Sequence, residues 1–213
     1  MLEKIRETAQ YLESRISVKP EVAIVLGSGL GGLVKNIEIE QEIPYREIPN
    51  FPVSNVAGHK ASMIFGRLNG RPVMVMSGRF HYYEGHPMKV VTFPIFVMNQ
   101  MGIKKLVLSN AAGGMNPTFD VADIMIITDH INMMANNPLL GPNIDELGPR
   151  FPDMSEAYSR RWIKLAKKNW RGTEHQVATR CVCRCYRPLL RNAFRIQNVS
   201  YFGGRCGWNV HRA

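Results

Sequence analysis

The sequence predicts an α/β fold, in which short buried strands alternate with helices. Four short apolar runs are typical of buried strands, at residues 22–26, 73–76, 106–108 and 124–127. Two longer segments, 1–16 and 88–101, repeat apolar residues at steps of three and four, as amphipathic helices do. Polar or glycine-rich residues follow every run. Because open α/β sheets bind ligands beyond the carboxyl ends of their strands, these loops form the candidate site.

The length and composition predict one domain, with or without an appendage. The chain has 213 residues and a hydrophobic content of 45%, which is enough for a full core. No apolar run approaches the roughly 20 residues that span a bilayer, so we expect no membrane partner. The first helix carries charge throughout and is no signal peptide, which favours a cytoplasmic protein.

The strand at residues 22–26 runs into a glycine loop, GSGLGG. Glycines there let backbone N–H groups close around an anion at the start of the next helix. The loop also matches a dinucleotide-binding fingerprint, which requires a second strand ending in an acid about 20 residues later. Glu47 has this spacing, but Pro44, Pro49 and Pro52 leave no room for that strand. The dinucleotide site is therefore the lesser alternative.

A hairpin precedes the densest polar cluster. Residues 61–68 and 71–76 are expected to be strands joined by Asn69-Gly70, a strong hairpin signal, and residues 48–60 a loop that presents His59. The strand stops at Ser77-Gly78, where the cluster RFHYYEGH begins. Arg79 offers a planar fork of donors that matches phosphate oxygens, and His81 adds a second donor. A solvated turn with a helix-capping arginine is the alternative interpretation.

The later elements repeat this pattern of a strand followed by a loop. Pro94 should make the helix at 88–101 start late or kink, and its methionines fill the core. The strand at 106–108 ends in SNAAGG, and the run at 124–127 ends in TDHIN, which we expect to be a loop. Four loops along one sheet edge would form a ligand site.

The positive charge is concentrated at the end of the chain. The net charge is +10, of which residues 1–168 contribute 19 − 16 = +3 and residues 169–213 contribute 8 − 1 = +7. This distribution argues against a nucleic-acid partner. All four cysteines also lie after residue 168, but CVCRC has the spacing of neither a zinc ribbon nor a thioredoxin-like pair. A metal or redox site is again the lesser alternative.

In this order, GSGLG, AGHK, GRFHYYEGH, LSNAAGGMNP, DHIN, NPLLGPN and RFPDMSEAY resemble the trimeric branch of the purine nucleoside phosphorylase family. The resemblance covers residues 22–168. It implies a three-layer α/β/α fold with a mixed central sheet, and reversible phosphorolysis of purine nucleosides to the free base and ribose 1-phosphate. It implies a homotrimer and no cofactor, since inorganic phosphate is a co-substrate. Methylthioadenosine phosphorylases share the fold but differ after the GR-like turn, and are the weaker alternative.

The resemblance also implies roles for individual residues. Those at phosphate-binding positions are Ser28, His59, Arg79, Phe80, His81 and Ala111. Those at ribose or base positions are Tyr83, Asn110 and Phe151, and His81 and Asn110 hold the catalytic positions. Phe151 resembles the aromatic that reaches into a neighbouring subunit's site. His59 as a surface-loop histidine and Asn110 as a turn former are the alternatives.

The family's base-binding glutamate, in a GPSYETP-like string, and a later asparagine are absent from this chain. However, translating residues 169–213 back with free synonymous codons and reading one base later gives, without a stop, GVYVAVTGPSYETPSEF within a longer family-like string. The codons of Lys167, Lys168 and Asn169 are rich in adenine, where one inserted base would shift the frame. We therefore predict a phosphorylase domain at 1–168, incomplete at its C-terminus, and a frameshifted tail at 169–213.

This tail affects what we expect of the chain as written. Its arginines break any helical period, so it should form no strand or helix that replaces the family's later elements. The chain should then be poorly soluble and inactive in phosphorolysis. The alternative to an enzyme is a non-catalytic remnant that keeps the phosphate-binding half of the site.

Overall fold

The structure is a computed structural model, and it describes residues 1–27, 29–52, 61–113, 119–121, 123–170, 178–185 and 206–208. The chain divides into two compact units, Met1–Asn110 and Ala111–Ala213. The predicted boundary at residue 168 is a different division, and it stays a prediction. No helix in the described ranges is long and apolar enough to cross a membrane.

The first unit is built on a mixed five-stranded sheet. Its strands are β1 (Val22–Val25), β2 (Glu38–Pro44), β3 (Ser62–Leu68), β4 (Arg71–Ser77) and β5 (Lys105–Leu108). They lie in the order β2-β3-β4-β1-β5. β1 runs parallel to both of its neighbours, whereas β3 is antiparallel to β2 and β4. The predicted α/β class with a mixed sheet is confirmed.

The predicted hairpin is also confirmed. β3 and β4 pair along their whole length, from Ser62 opposite Ser77 to Leu68 opposite Arg71. Asn69 and Gly70 join them with φ angles of 49° and 73°. Two successive positive φ angles match the right-handed twist of the strands, and asparagine followed by glycine adopts them at low cost.

The helices of the first unit are α1 (Leu2–Glu13), α2 (Met88–Val91) and α3 (Phe93–Gln100). The predicted helix at 88–101 is broken at Thr92, and Pro94 lies in the first turn of α3, where a missing N–H costs nothing. α1 packs against α3. Met98 and Met101 are buried, as expected of core residues.

One face of the sheet is closed by a short helix from the glycine loop. Ile24, Ile64, Val73 and Val75 form an apolar cluster on alternate positions of β1, β3 and β4. The 3-10 helix Gly31–Asn36 packs Leu33 and Val34 against this cluster, in agreement with the expected helix after the loop. The glycine loop is thereby held against the end of β1.

The second unit contains α4 (Arg160–Asn169) and a parallel sheet of β6 (Met125–Met133), β7 (Ala178–Cys185) and β8 (Cys206–Trp208). The expected loop at 128–132 is wrong, because those residues lie in β6. Ile131 and Met133 alternate with polar residues, a pattern that a search for continuous apolar runs overlooks. In the described residues, β6 pairs in a different sheet from β5, so the fourth expected loop does not share the edge of the other three.

The predicted tail contains a described strand, and the expectation that the tail does not replace the family's later elements stays a prediction. β7 lies within it and pairs with β6 from Met125 opposite Ala178 to Met133 opposite Cys185. In its sequence ATRCVCRC, Thr179 and the three cysteines occupy every second position, which suits a strand although it excludes an amphipathic helix. β2 was not predicted, because it is an edge strand with three glutamates.

Candidate functional site

Three loops of the first unit leave the same edge of its sheet. β1 lies between β4 and β5 and is parallel to both, so the carboxyl ends of all three strands point in one direction. Val25 lies level with Met76 on one side and with Leu108 on the other. The residues that follow these strands are Gly27, Arg79 and Ser109. The topology therefore brings together three of the loops that the sequence singled out.

Gly27 and Ser109 are in close backbone contact. The Gly27 N–H donates to Ser109 Oγ at 3.0 Å, and that hydroxyl donates to the Val25 carbonyl at 3.1 Å. A Cβ at position 27 would lie 2.5 Å from the Ser109 carbonyl oxygen and 2.7 Å from Asn110 Cα. Glycine is therefore required at position 27 by space, since both nearest atoms belong to the backbone.

Arg79 is half-buried and is held at the end of β5. One terminal guanidinium N–H donates to the Ser109 carbonyl at 2.7 Å, and Nε–H donates to His81 Nε2 at 3.3 Å. An arginine carries five donors in a fixed plane and keeps its charge at any physiological pH. The site thus has a permanent, oriented positive charge beside two backbone turns.

His81 lies between Arg79 and a carboxylate. Its Nδ1 pairs with Glu84 Oε1, and the second oxygen of Glu84 lies 3.7 Å from His86 Nε2. A neutral ring that accepts at Nε2 carries its proton on Nδ1 and donates it to Glu84. Glu84 thus fixes the tautomer and the orientation of the His81 ring.

Two aromatic residues of this turn face different surroundings. The Tyr83 ring stacks on His81 at 4.7 Å between centroids and is 49% exposed, as a residue that meets a ligand would be. Phe80 is buried, and its ring contacts Tyr45, Phe51 and His86. The side chain of Phe80 therefore belongs to the core. Its predicted part in phosphate binding stays a prediction.

Four other residues that the sequence predicts at the site are Asn110, Ala111, Ser28 and His59. Asn110 is half-buried, next to Ser109 and against Gly27. Ala111 follows it and begins the second unit. Ser28 and His59 lie outside the described residues.

Phe151 lies in the second unit and is 86% exposed. Its ring is 5.9 Å from the guanidinium carbon of Arg150, which donates to the carbonyls of Leu139 and Gly141 at 2.7 Å each. Arg150 thus ties the NPLLGPN loop to RFPDM and holds the backbone beside Phe151. A large exposed aromatic on an anchored backbone suits contact with another molecule.

Sequence reasoning assigned no role to Glu84, Tyr45 or Ser109. Glu84 could have been found from its position three residues after His81 in the polar cluster. Tyr45 donates from its hydroxyl to the Gly78 carbonyl at 2.7 Å, and it is buried. The roles of Tyr45 and Ser109 depend on which strands are neighbours, and no local signal reveals that.

Comparison with known proteins relates the chain to one group of enzymes. Residues 21–204 match the family model described as the phosphorylase superfamily. The chain is 53% identical over 163 residues to purine nucleoside phosphorylase 1 of Geobacillus stearothermophilus, and 49% identical over 172 residues to the purine nucleoside phosphorylase of Bos taurus. These alignments cover 76% and 79% of the chain but 60% of each relative. The chain thus spans about three fifths of the length of these two relatives.

The match to the purine nucleoside phosphorylase of Saccharomyces cerevisiae extends further. It is 43% identical over 216 residues and covers 90% of the chain and 70% of that protein.

Solved structures show the same fold. Isoform 2 of purine nucleoside phosphorylase from Schistosoma mansoni, in complex with cytosine and ribose-1-phosphate, superimposes with a TM-score of 0.90 and 36% identity. The match covers 99% of the chain and 75% of that structure. A second Schistosoma mansoni purine nucleoside phosphorylase, in complex with adenosine, gives a TM-score of 0.86 at 36% identity, with 99% and 76% covered. The α/β nucleoside phosphorylase fold expected from the resemblance is confirmed.

Proposed function

The chain belongs to the phosphorylase superfamily, among the purine nucleoside phosphorylases, and we propose that its activity is the reversible phosphorolysis of purine ribonucleosides and deoxyribonucleosides. The products are the free purine base and ribose or deoxyribose 1-phosphate. The single observation that carries the proposal is the junction of Gly27, Arg79 and Ser109 at the carboxyl ends of three neighbouring strands. Phosphate is the co-substrate, and the reaction needs no cofactor.

The junction suits an anionic nucleophile. In phosphorolysis a phosphate oxygen forms a bond to the anomeric carbon, the bond to the purine nitrogen breaks, and its electron pair leaves with the base. The sugar carries oxocarbenium character in between, as in glycoside hydrolysis. An anion that Arg79 and the glycine loop hold against the sugar stabilises this positive charge and is already oriented for attack.

His81 and Glu84 supply a second contact with phosphate. Nδ1 of His81 pairs with Glu84, and Nε2 accepts a hydrogen bond from Arg79. When the ring is protonated, Nε2 donates to phosphate instead. Glu84 fixes the ring from the other side. We assign the ribose contact to Tyr83, and its half-exposed ring stacked on His81 supports this assignment.

We assign base recognition to Asn110 together with residues that lie beyond residue 168 in the other reading frame. The departing purine carries negative charge and needs a proton or a hydrogen-bond donor at its ring edge. The frameshifted reading supplies the GPSYETP string that this chain lacks. Phosphate binding without phosphorolysis is therefore the second candidate function for the chain as written, and the absent glutamate favours it.

We further propose a homotrimer in the cytoplasm. The 86% exposed ring of Phe151 on its anchored backbone supports a contact in which one subunit completes the site of another.

The test is the phosphate dependence of Arg79→Ala in the chain whose frame is restored after Lys168. Initial rates with inosine at varied phosphate should show formation of hypoxanthine and ribose 1-phosphate in the unsubstituted protein. The variant should have a KM for phosphate that is roughly 10–100-fold higher, because a charge-assisted contact is lost from a half-buried site. Arg71→Ala is the matched control, since Arg71 is an exposed cation at the start of β4, the strand that Arg79 follows.

Two results would contradict the proposal. An unsubstituted, frame-restored protein that releases no base would exclude phosphorolysis. An unchanged phosphate KM in Arg79→Ala would remove Arg79 from the phosphate site.

A further inference from the structure

We propose that Ser109 is a positioning residue, which holds the glycine loop and Arg79 in register and so sets the affinity for phosphate. This inference rests on the proposed function, because it assumes that the junction binds phosphate. Ser109 acts through its neighbours and does not itself need to touch the ligand.

The Ser109 hydroxyl joins β1 to its own loop. It donates to the Val25 carbonyl at the end of β1 and accepts from the Gly27 N–H, the first donor of the glycine loop. The Ser109 N–H also donates to the Val25 carbonyl, at 3.1 Å. Two bonds of one residue therefore fix the end of β1, and one of them depends on the side chain.

The backbone of the same residue fixes Arg79. The Ser109 carbonyl accepts the 2.7 Å hydrogen bond from the Arg79 guanidinium, so a shift of Ser109 would also move the positive charge of the site. The Ser109 carbonyl oxygen is also the atom that would lie 2.5 Å from a Cβ at position 27. One peptide unit thus bounds the glycine loop on one side and holds the arginine on the other.

Removing the hydroxyl breaks this link on the glycine side. Gly27 is buried, so its N–H would lose the acceptor at Ser109 where water is largely excluded. The loop must then shift to find another acceptor, which moves its N–H groups relative to Arg79. Because the anion has to meet both at once, a small displacement weakens binding.

The experiment compares four chains by calorimetric titration with inorganic phosphate: unsubstituted, Ser109→Ala, Ser109→Thr and Ser109→Val. Threonine and valine have the same shape, and only threonine keeps the hydroxyl. We expect Ser109→Ala and Ser109→Val to raise the Kd for phosphate about tenfold, which corresponds to about 1.4 kcal/mol, and Ser109→Thr to stay close to the unsubstituted chain. The titration uses the 213-residue chain, or the frame-restored chain if the first does not stay soluble.

Thr8→Val is the control for a purely structural effect. Thr8 is a buried residue of the same unit whose hydroxyl contacts the carbonyls of Lys4 and Pro49, away from the three loops. It should lower the melting temperature and leave the phosphate Kd unchanged.

The outcomes separate this inference from the proposed function. An unsubstituted chain that binds no phosphate overturns the phosphate site, and the role of Ser109 with it. An unsubstituted chain that binds phosphate, with Ser109→Val equal to Ser109→Thr, overturns the role of the hydroxyl alone. An equal loss of phosphate affinity in Thr8→Val would show that the Ser109 variants act through general destabilisation, and would also overturn the role of Ser109.

Discussion

Tyr45 ties the arginine turn to the core of the first unit. Its ring is 2% exposed and contacts Phe51 and Phe80, and its hydroxyl donates to the Gly78 carbonyl at 2.7 Å. Gly78 has a φ of 102°, a backbone conformation that residues other than glycine rarely adopt. Burial raises the pKa of the Tyr45 hydroxyl, so it keeps its proton throughout the physiological range. The start of the turn is therefore held by a bond that changes of pH do not remove.

Replacing Tyr45 by phenylalanine should destabilise the protein without leaving a cavity in the core. The ring keeps its contacts, but the Gly78 carbonyl loses its donor, which costs about 1 kcal/mol. Urea denaturation followed by far-UV circular dichroism measures the difference. Tyr11→Phe, on the half-exposed side of α1, is the control and should have an effect within about 0.5 kcal/mol. Equal losses in the two variants would refute the importance of this hydrogen bond.

Some site residues could be predicted from the sequence, and the reason is local. Arg79 and His81 follow directly on the buried β4, so the switch from apolar to polar residues marks them. Tyr45 and Ser109 could not be identified in this way. Their partners lie 33 residues away at Gly78 and 82 residues away at Gly27, and only the strand order brings them together.

At the scale of elements, turns and breaks were more predictable than strand extents. Asn69-Gly70 and Pro94 act through their own backbone geometry, so the hairpin and the break between α2 and α3 follow from a few residues. β2 has a glutamate at every second position from Glu38 to Glu42 and β7 has threonine or cysteine at every second position, so a search for continuous apolar runs misses both strands. β6 continues past its apolar run for the same reason.

The order of the strands determines the site more than any single loop does. β4, β1 and β5 are neighbours although β1 comes first in the chain and long segments separate them. The sequence predicts that each strand ends in a loop, but the pairing of β1 with both of the others is a tertiary property. That pairing is what places Gly27 between Arg79 and Ser109.

At the scale of the whole molecule, Phe151 supplies a prediction about assembly. If it completes the site of a neighbouring subunit, a Phe151→Ala subunit and an Arg79→Ala subunit carry defects in different halves of a shared site. Co-refolding the two frame-restored variants should restore some intact sites and part of the activity, measured with inosine and phosphate. Each variant refolded alone is the control. Mixtures no more active than the separate variants would count against a shared site.

The chain as written leaves apolar side chains exposed in both of its units. β5 lies at the edge of the five-stranded sheet in the part of the chain that the structure describes, and Leu106, Val107 and Leu108 are 41%, 48% and 57% exposed. On α4, just before residue 169, Trp162 and Leu165 are 49% and 47% exposed. Exposed apolar residues on an edge strand and on a helix favour association with other chains. β7 pairs with β6, and it leaves these residues exposed.

Deleting one base within the codons of Lys167 and Lys168, with the downstream gene supplied, should therefore increase both solubility and activity. The restored frame brings back the GPSYETP glutamate for the base and apolar segments that can cover Leu108 and Trp162. Burying such surface contributes about 25 cal/mol per Å², against a net stability of only about 5–15 kcal/mol for a domain. Soluble yield, thermal melting and phosphorolysis of inosine should be compared between the two forms, with a gene carrying only synonymous changes at these codons as the control. A 213-residue chain that is soluble, melts cooperatively and releases hypoxanthine would refute the frameshift interpretation.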